Sequence, residues 1–426
     1  MELYLGLGSN LGDRRTNLST ALDRLQEFEL TVKRISPVVE SPALLPENSP
    51  AEWDTPFLNL AAECETQASP ETIKNWIDEI EHALGRTSGP RWAPRPVDID
   101  ILLWGNSILE TERLTIPHRD IKKRNFVLTP MVALKPRLVL PGSIKENLLD
   151  CSIKLSDHIP LWMGVLNVTP DSFSDGGSFL ELKSIEPHIQ RMIEAGVHII
   201  DVGGESTRPQ GSRITTETEW KRVAPVLERL IEIRDQLTFG PLISIDTYHV
   251  TTAKRALSIG VDIVNDVSGL RSPEMIDLAV ESTADFIAMH QMSLPADPAI
   301  TIPQDSDPYG FVESWLDESI ELWDKCGIDL NRVLFDPGIG FGKTTNQSRK
   351  LLARAGEFRS YGLRVVVGHS RKSFLTPTIG NNTPIKDLAT SGLSMNLCTQ
   401  GVDIIRVHNV PMNAAVYHGW AIAANS

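Results

Sequence analysis

The chain from residue 161 onward repeats one pattern of apolar and polar positions. A short apolar run is followed by a polar or turn-forming cluster, as when a buried strand leads into a loop. Such runs occur at LWMGVLN, VHIIDVGG, PLISIDT, VDIVND, DFIAMH, RVLFDPG, LRVVVGH and VDIIRVH. Continuous Val/Ile/Leu runs suit strands buried on both faces, and the segments between most of them are long enough for crossover helices. The pattern predicts an α/β fold with a (β/α)₈ TIM barrel over residues 161–426.

The first third of the chain has a different pattern. Strand-like and helix-like segments alternate without the rhythm of a parallel sheet, and Ser69 and Pro70 mark the start of a helix over residues 70–84. A proline-rich segment between Pro42 and Pro56 is too long for a simple connection and is interpreted as a lid. This mixture predicts a smaller, ferredoxin-like α+β domain over residues 1–145. We place a linker at residues 146–160, because this segment is polar and holds no second core.

Composition narrows the class of protein. The chain of 426 residues is 41% hydrophobic and 23% charged, which is ordinary for a globular enzyme. Its net charge of -14 argues against a nucleic-acid-binding protein, and no stretch is apolar and long enough for a membrane span. The four cysteines form no CxxC pair, which favours reduced thiols. We therefore expect a cytoplasmic protein with small-molecule partners and with neither nucleic acid nor membrane as a partner.

Two aspartates are the strongest candidates for chemistry in the first domain. Residues 97–104 are strand-like, and a period of two places Asp98 and Asp100 on one face, about 7 Å apart. Carboxylates at this spacing can hold divalent cations together with nucleotide phosphates. Basic residues flank the pair, namely Arg86, Arg91, Arg95, Arg113, His118, Arg119, Lys122, Lys123 and Arg124. Such clusters are typical of phosphoryl transfer, although an exposed basic loop that pairs with surface acids is the simpler alternative.

Three segments resemble the signature of the 6-hydroxymethyl-7,8-dihydropterin pyrophosphokinase family. They are RWAPRPVDIDIL at residues 91–102, Gly8-Ser-Asn10 and Thr115-Ile-Pro-His118. The resemblance implies that Asp98 and Asp100 bind Mg²⁺ and, with Arg95, are catalytic. It implies that Phe57, Asn59 and Phe126 bind the pterin, two rings stacking on a flat heterocycle while the amide binds its edge. It further implies an ATP site formed by Glu81, Trp92, Arg95, Leu114, Thr115, His118 and Arg124. The family has an aromatic residue where this chain has Arg119.

Polar side chains follow the predicted barrel strands. In a (β/α)₈ barrel these loops meet at one mouth, so the side chains are expected to converge there. They are Asn167, Asp201, Asp246, Asn265, Asp336, Lys372, Arg406 and His408. Carboxylates and amides can accept hydrogen bonds from a ring rich in N–H donors, and cations suit a pyrophosphate. For a single aspartate, a helix N-cap or a strand-end ion pair is the simpler interpretation.

The second domain closely resembles dihydropteroate synthase. The resemblance lies in GVLNVTPDSFSDGG at 164–177, IIDVGGESTRP at 199–209, DPGIGFGK at 336–343, SRKS at 370–373 and IRVH at 405–408. It implies that Asp246, Asn265, Asp336 and Lys372 bind the pterin, with Asp336 and Lys372 catalytic. It implies pyrophosphate binding by Asn167, Thr207, Arg371, Arg406 and His408, with Asn167 also a ligand of Mg²⁺. It implies p-aminobenzoate binding by Thr207, Pro209, Phe341 and Ser370. A glycine usual after the Ser-Thr-Arg-Pro motif is Gln210 here.

The two resemblances support each other, because the product of the first reaction is the substrate of the second. We therefore predict a bifunctional transferase of folate biosynthesis with ATP as co-substrate and Mg²⁺ as cofactor. Its substrates would be 6-hydroxymethyl-7,8-dihydropterin and p-aminobenzoate, and a homodimer through the barrel is expected. Two alternatives stay open at this point. One is a pterin-binding barrel methyltransferase fused to a kinase, and the other is a catalytically inactive pterin-binding scaffold.

Overall fold

Residues 1–87, 89–90, 92–143, 145–156, 158–168, 178–205, 213–297 and 299–424 are described by the structure, a computed structural model. For residues 178–184 and 424 only the backbone is described. The chain forms two units, Met1–Ile159 and Pro160–Ser426.

The first unit is built on a sheet with strand β1 near its centre. Its elements are β1 (Glu2–Ser9), α1 (Arg14–Gln26), β2 (Leu30–Ile35), β3 (Val39–Ser41), β4 (Phe57–Thr66), α2 (Pro70–Ala83), β5 (Asp98–Trp104), β6 (Leu109–Glu110), β7 (Thr115–Ile116), α3 (Asn125–Leu134) and α4 (Leu148–Ile153). The sheet order is β2-β4-β1-β5 with every pairing antiparallel, and β3 adds to β4. With α1 following β1 and α2 following β4, this is a βαββαβ arrangement, so the predicted ferredoxin-like α+β fold is confirmed.

Local sequence signals determine several of these elements. The Ser69 side chain accepts a hydrogen bond from the Thr72 amide and Pro70 lies in the first turn of α2, as predicted. Along β5 the side chains alternate, with Ile99 and Ile101 buried at 3% and 5% exposure. The alternation leaves Asp98 and Asp100 together on the opposite face.

The segment predicted as a linker, residues 146–160, contains helix α4. Asn147 caps this helix with a capping box, and Leu148, Leu149 and Cys151 are buried against α3. These apolar side chains were overlooked because the polar and turn residues around them dominate the segment. The greater part of the predicted linker thus belongs to the first unit.

The second unit is a closed barrel of eight parallel strands, which confirms the predicted (β/α)₈ fold. The strands pair in chain order and the last pairs with the first. The elements are β8 (Leu161–Asn167), α5 (Ser178–Glu194), β9 (Ile199–Gly203), α6 (Thr216–Asp235), β10 (Leu242–Asp246), α7 (Val250–Ser258), β11 (Ile263–Asp266), α8 (Pro273–Glu281), β12 (Asp285–Met289), α9 (Pro308–Lys325), β13 (Val333–Asp336), α10 (Thr345–Leu352), β14 (Arg364–Gly368), α11 (Thr376–Ile379), α12 (Thr383–Thr399), β15 (Ile404–Val407) and α13 (Val410–Ala424).

The barrel core explains why its strands lack polar alternation. Every residue of β9, β12, β13 and β14 is buried, since one face fills the barrel and the other packs on the helices. The strands end in polar residues at the mouth, and helices follow them. None of the helices in the described residues is both long enough and apolar enough to cross a membrane.

Candidate active sites in the two units

A cavity of about 320 Å³ lies in the first unit beside strands β1 and β5. It is the place where most of the residues predicted for this domain come together. Those that line it are Phe57, Asn59, Trp92, Arg95, Asp98, Asp100, His118, Arg124 and Phe126. Leu114 and Thr115, at the start of β7, and Glu81 are not among the lining residues. The wall therefore combines carboxylates, cations and aromatic rings.

Asp98 is paired with two arginines. The Oδ1 atom of Asp98 lies 2.8 Å from Nη1 of Arg86 and 3.0 Å from Nη1 of Arg95. Arg86 also forms an ion pair with Glu81. Arg86 was noted in the basic flank of the sequence but not assigned to the site, and only the fold shows that it reaches the carboxylate.

Glu81 is buried behind the cavity at 5% exposure. Its Oε1 atom accepts a hydrogen bond of 2.8 Å from the Ile99 amide of β5, and burial raises the pKa of its carboxyl. Through these contacts Glu81 supports both strand β5 and Arg86. Its place in the fold suits the support of the site more than direct contact with a nucleotide.

Asp100 completes the carboxylate pair. Its Oδ2 atom lies 3.9 Å from Nε2 of His118. Burial, together with the charge of Asp98, raises the pKa of Asp100. Two carboxylates on one face of a strand in a partly dehydrated cavity supply the oxygen donors that a hard divalent cation favours. The residues present therefore fit Mg²⁺ as the bound ion.

The aromatic part of the cavity is formed by Phe57 and Phe126, and Asn59 of β4 lines the same cavity. A Cβ atom at Gly8 would lie 3.2 Å from Oδ1 of Asn59 and 3.4 Å from the Phe57 ring. The glycine at this position of β1 therefore keeps the cavity open. The Asn59 amide nitrogen donates to Oγ of Ser41 at 3.0 Å, which orients the side chain. This wall can hold a flat ring and bind its edge.

At the barrel mouth, Arg406 joins two aspartates from neighbouring strands. Its guanidinium lies 2.6 Å from Oδ2 of Asp201 and 2.7 Å from Oδ2 of Asp246. Asn265 donates to the same Asp201 oxygen at 3.1 Å. Asp201 is fully buried, and one oxygen of each aspartate has no hydrogen-bond partner among the described atoms. These oxygens are acceptors available to a ligand with N–H groups.

Strand register explains this arrangement. Asn167 pairs with Gly203, Gly203 with Asp246, and Asp246 with Asn265, so four strand ends lie in one layer. A Cβ atom at Gly203 would lie 3.5 Å from both Oδ1 of Asn167 and Cβ of Asp246. Glycine at this position allows the two side chains to approach each other.

The loops after β13 and β14 contribute Asp336 and Lys372. The Gly338 amide donates to Oδ1 of Asp336 at 2.7 Å, and burial raises the pKa of this carboxyl. The Lys372 ammonium lies 4.0 Å from the centre of the Phe341 ring, a cation–π distance. Gly340 passes close to the Lys372 side chain, where an added Cβ would lie 3.4 Å from Cδ. Asp336, Phe341 and Lys372 thus lie near one another.

Ser370 and Arg371 precede Lys372 and have partners on other elements. Oγ of Ser370 lies 3.0 Å from Nδ1 of His408. Arg371 forms a two-point ion pair with Asp387 of α12, at 2.6 and 2.8 Å. The structure thus brings Ser370 to His408 and gives Arg371 a partner that the sequence did not indicate. Thr207 and Pro209 lie outside the described residues.

Lys343 is a residue of this mouth that sequence reasoning did not assign to the site. It is 7% exposed, and its ammonium donates to the carbonyl oxygens of His290 and Phe341 at 3.1 and 3.0 Å. Nδ1 of His290 lies 2.7 Å from the same nitrogen, and burial lowers the pKa of Lys343. The lysine holds together the glycine-rich loop after β13, and its place at the end of that motif was the available signal.

A cluster of Glu205, Glu219 and His249 was also missed. Their ligand-type atoms lie within 4.8 Å of one another. Nε2 of His249 lies 3.1 Å from Oε2 of Glu205, and Thr247 donates to Glu219 at 2.9 Å. The cluster connects the loops after β9 and β10. No spacing in the sequence signals this cluster, since Glu205 and His249 come from different loops and Glu219 comes from helix α6.

Comparison with protein families assigns both units. The profile of 7,8-dihydro-6-hydroxymethylpterin-pyrophosphokinase matches residues 4–136, and that of pterin binding enzymes matches residues 163–408. A folate synthesis bifunctional protein from Chlamydia muridarum is 37% identical over 97% of this chain and 96% of its own length. The chain belongs to the bifunctional folate-synthesis proteins. The mitochondrial folate synthesis bifunctional protein of Arabidopsis thaliana is 33% identical over 97% of this chain and 81% of its own.

Solved structures agree with this family for the barrel. A dihydropteroate synthase from Clostridium difficile, solved with pteroic acid, is 34% identical with a TM-score of 0.57 over 64% of this chain and 98% of its own. The enzyme from Anaplasma phagocytophilum, with bound 6-hydroxymethylpterin-monophosphate, is 38% identical with a TM-score of 0.56 over 62% and 99%.

Both resemblances seen in the sequence are therefore confirmed. This member of the bifunctional folate-synthesis proteins is a transferase with a pyrophosphokinase in its first unit and a dihydropteroate synthase in its barrel. The kinase activity makes ATP a co-substrate. The two alternatives, a barrel methyltransferase and an inactive scaffold, are not favoured.

Proposed function

We propose that the cavity of the first unit carries out the pyrophosphoryl transfer from ATP to 6-hydroxymethyl-7,8-dihydropterin. The observation that carries this assignment is the position of the Asp98 and Asp100 carboxylates in one cavity with the Phe57 and Phe126 rings. A pterin held by these rings and by Asn59 would present its hydroxymethyl group to the carboxylate pair. Mg²⁺ held by Asp98 and Asp100 would neutralise the triphosphate and the charge that develops during transfer.

The basic residues around this pair then bind the nucleotide. Arg86 and Arg95 already contact Asp98, so the phosphates of ATP would extend a cluster of charges that is present. His118 and Arg124 line the same cavity, as does Trp92, whose ring suits a contact with the adenosine part. Thr115 of strand β7 and Leu114, which precedes it, belong to the proposed ATP site, and the buried Glu81 would support this site from behind the cavity.

We propose that the barrel mouth condenses the resulting dihydropterin pyrophosphate with p-aminobenzoate. Asp246, Asn265, Asp336 and Lys372 would bind the pterin, in agreement with the pterin and pteroate ligands of the related structures. Asn167, with Thr207, Arg371, Arg406 and His408, would bind the pyrophosphate. Phe341 and Ser370, with Thr207 and Pro209, would bind p-aminobenzoate. Asn167 at the end of β8 would also be the ligand of Mg²⁺ there.

The shared guanidinium of Arg406 suggests how binding prepares the reaction. Its charge is balanced by Asp201 and Asp246. When pterin N–H groups donate to Asp246, that carboxylate is drawn toward the ring and the Arg406 charge becomes available to the pyrophosphate. Cations at the departing oxygen then stabilise C–O cleavage, and buried Asp336 stabilises the electron-poor methylene carbon that the arylamine attacks. The amine loses a proton as the new C–N bond forms.

The two-step reaction gives a direct test. Purified protein is incubated with 6-hydroxymethyl-7,8-dihydropterin, ATP, Mg²⁺ and p-aminobenzoate, and dihydropteroate is followed by mass spectrometry. AMP and dihydropteroate should form together, and replacing Mg²⁺ with a chelator should stop AMP formation. Formation of AMP without dihydropteroate would reject the assignment of the barrel. Formation of dihydropteroate only when dihydropterin pyrophosphate is supplied would reject the assignment of the first unit.

Further properties of the chain are part of the same proposal. We place the domain boundary between Ile159 and Pro160, since the contacts divide there. A cytoplasmic location is supported by four cysteines that are free thiols, three of them buried.

A homodimer through the barrel is supported by the exposed apolar side chains Ile385 and Leu388 on one face of α12. Light scattering of the wild type and of L388E would test the dimer.

A further inference from the structure

Asp387 lies in the second turn of helix α12 and is 5% exposed. Its carboxylate faces the loops that follow β14 and β15. Oδ1 accepts from Nε of Arg371 at 2.6 Å, and Oδ2 accepts from Nη2 of the same guanidinium at 2.8 Å. This is the two-point geometry in which arginine and carboxylate bind most strongly.

The same carboxylate reaches the next loop. Oδ2 of Asp387 also accepts from the Asn409 amide nitrogen at 3.3 Å. Asn409 directly follows His408, and Arg371 lies between Ser370 and Lys372. One buried side chain on a helix is thus bonded to Arg371, itself a proposed pyrophosphate ligand, and to Asn409, which directly follows another one.

The backbone at Arg371 needs such support. Its φ is +58°, in the left-handed region that is unfavourable for a residue other than glycine. Its amide donates to Oγ1 of Thr390 on α12 at 3.4 Å, a long bond. The ion pair with Asp387 is the stronger of the two contacts. It therefore holds the turn that directs Ser370 to one side and Lys372 to the other.

Asn409 is also held by hydrogen bonds to the first residues of helix α13. Its Oδ1 atom accepts from the Met412 amide at 3.1 Å, and its carbonyl accepts from the fully buried Asn413 at 2.7 Å. Asn413 in turn accepts from Ser394 of α12 at 2.7 Å. The loop after β15 and the start of α13 are consequently bound to α12 at two points, through Asp387 and through Ser394.

We propose that Asp387 is a positioning residue for the condensation reaction, which sets the spacing of Lys372 and Ser370 relative to His408 by holding Arg371 and Asn409 together. This inference rests on the proposed function of the barrel mouth. Asp387 itself is buried on α12 and contacts Arg371 and Asn409. A displacement of about 1 Å between groups that act on one reacting centre lowers a rate by as much as about 100-fold.

The central test is D387N, which keeps the size of the side chain and removes its charge. The kcat of condensation with supplied dihydropterin pyrophosphate should fall by about 10- to 100-fold. The KM for p-aminobenzoate should rise together with the fall in kcat, since Ser370 belongs to the proposed p-aminobenzoate site, and AMP formation by the first unit should be unchanged. The matched control is D277N, since Asp277 is an exposed aspartate on barrel helix α8. A normal kcat in folded D387N would overturn the proposal.

A double-mutant cycle separates this role from a merely structural one. If Asp387 acts through Arg371, then D387N in an R371Q background should cause less than about a twofold further loss, because the two changes remove one interaction. Losses that multiply instead would show independent effects and reject the proposal. Rates are normalised to the folded fraction by near-ultraviolet circular dichroism.

A second variant covers the case in which D387N does not fold. N409S keeps an oxygen that can cap α13 but removes the amide that donates to Asp387. It should lower the condensation kcat several-fold, and an unchanged kcat would reject the proposal.

Failure of the proposed function would give a different result. If the barrel mouth did not have the proposed function, R371Q and H408A would leave the condensation rate unchanged. A lowered condensation rate in R371Q together with a normal rate in D387N would reject only the role proposed for Asp387.

Discussion

Arg406 of strand β15 lies between two carboxylates, 2.6 Å from Asp201 of β9 and 2.7 Å from Asp246 of β10. One guanidinium thus serves two acids in a buried site. Burial, opposed by the charge of Arg406 and reinforced by that of Asp201, raises the pKa of Asp246 to about 7. The protonation state of the proposed pterin site therefore changes within the physiological range.

We expect pterin binding to the barrel to weaken as the pH falls through about 7. Only the ionised Asp246 can accept two N–H bonds from the pterin, and protonation converts one oxygen into a donor. The KM for dihydropterin pyrophosphate, measured as a function of pH, should rise on the acidic side of neutrality. D246N should bind weakly with little pH dependence in this window. A flat KM profile for the wild type would contradict the prediction.

The same shift predicts a stability effect with a defined sign. The folded protein holds the Asp246 proton more tightly than the unfolded chain, whose aspartates titrate near pH 4. Between about pH 4 and 7 the native state therefore binds more protons at this site, and its contribution to stability falls as the pH rises. Urea unfolding of the wild type and D246N should show this as a pH-dependent difference. A difference that grows in the opposite direction would refute it.

D98A or D100A should lower ATP-dependent AMP formation by more than about 100-fold, because each removes a ligand from the ions that neutralise the triphosphate. Condensation of supplied dihydropterin pyrophosphate should stay normal. D23A, which changes an exposed aspartate of α1, is the control. Loss of condensation in D98A would mean that the residue supports the whole chain and not the first site.

K372A should lower condensation by about 100-fold and spare AMP formation, since the ammonium beside Phe341 is the cation proposed to reach the pterin. K372R should not restore the rate, because a planar guanidinium does not replace a compact ammonium. K350A, on the exposed side of α10, serves as the control. A normal rate in K372A would mean that this lysine takes no part in the condensation, and it would weaken the assignment of the active site to the barrel mouth.

Fragments 1–159 and 160–426 should each carry one activity, because the residues assigned to each site lie within one unit. A fragment ending at residue 145 should be less stable than 1–159 by roughly 3 kcal/mol or more, since it loses Leu148 and Leu149, both fully buried. Urea unfolding and AMP formation measure these outcomes. A folded 1–159 fragment without AMP formation would show that the barrel completes the first site.

Much of the fold and of the candidate sites could be predicted from the sequence because the signals are local or repeated. The period of two determined that Asp98 and Asp100 share a face of β5, and the repeated apolar runs determined a barrel whose strand ends carry the polar residues. Conversely, α4 was missed because a six-residue helix has too few positions for its periodicity to outweigh surrounding polar residues.

What only the tertiary structure decided is the choice of partners. Arg406 is 205 residues from Asp201 and 160 from Asp246, and the chain contains 55 acidic residues with which an arginine could pair. Which of them it meets depends on strand register around a closed barrel. Arg86 with Asp98 and Arg371 with Asp387 are decided in the same way, since the orientation of a helix or loop on the sheet is a property of the packed core. The sequence by itself determined which residue types reach each site, and packing determined which of them touch.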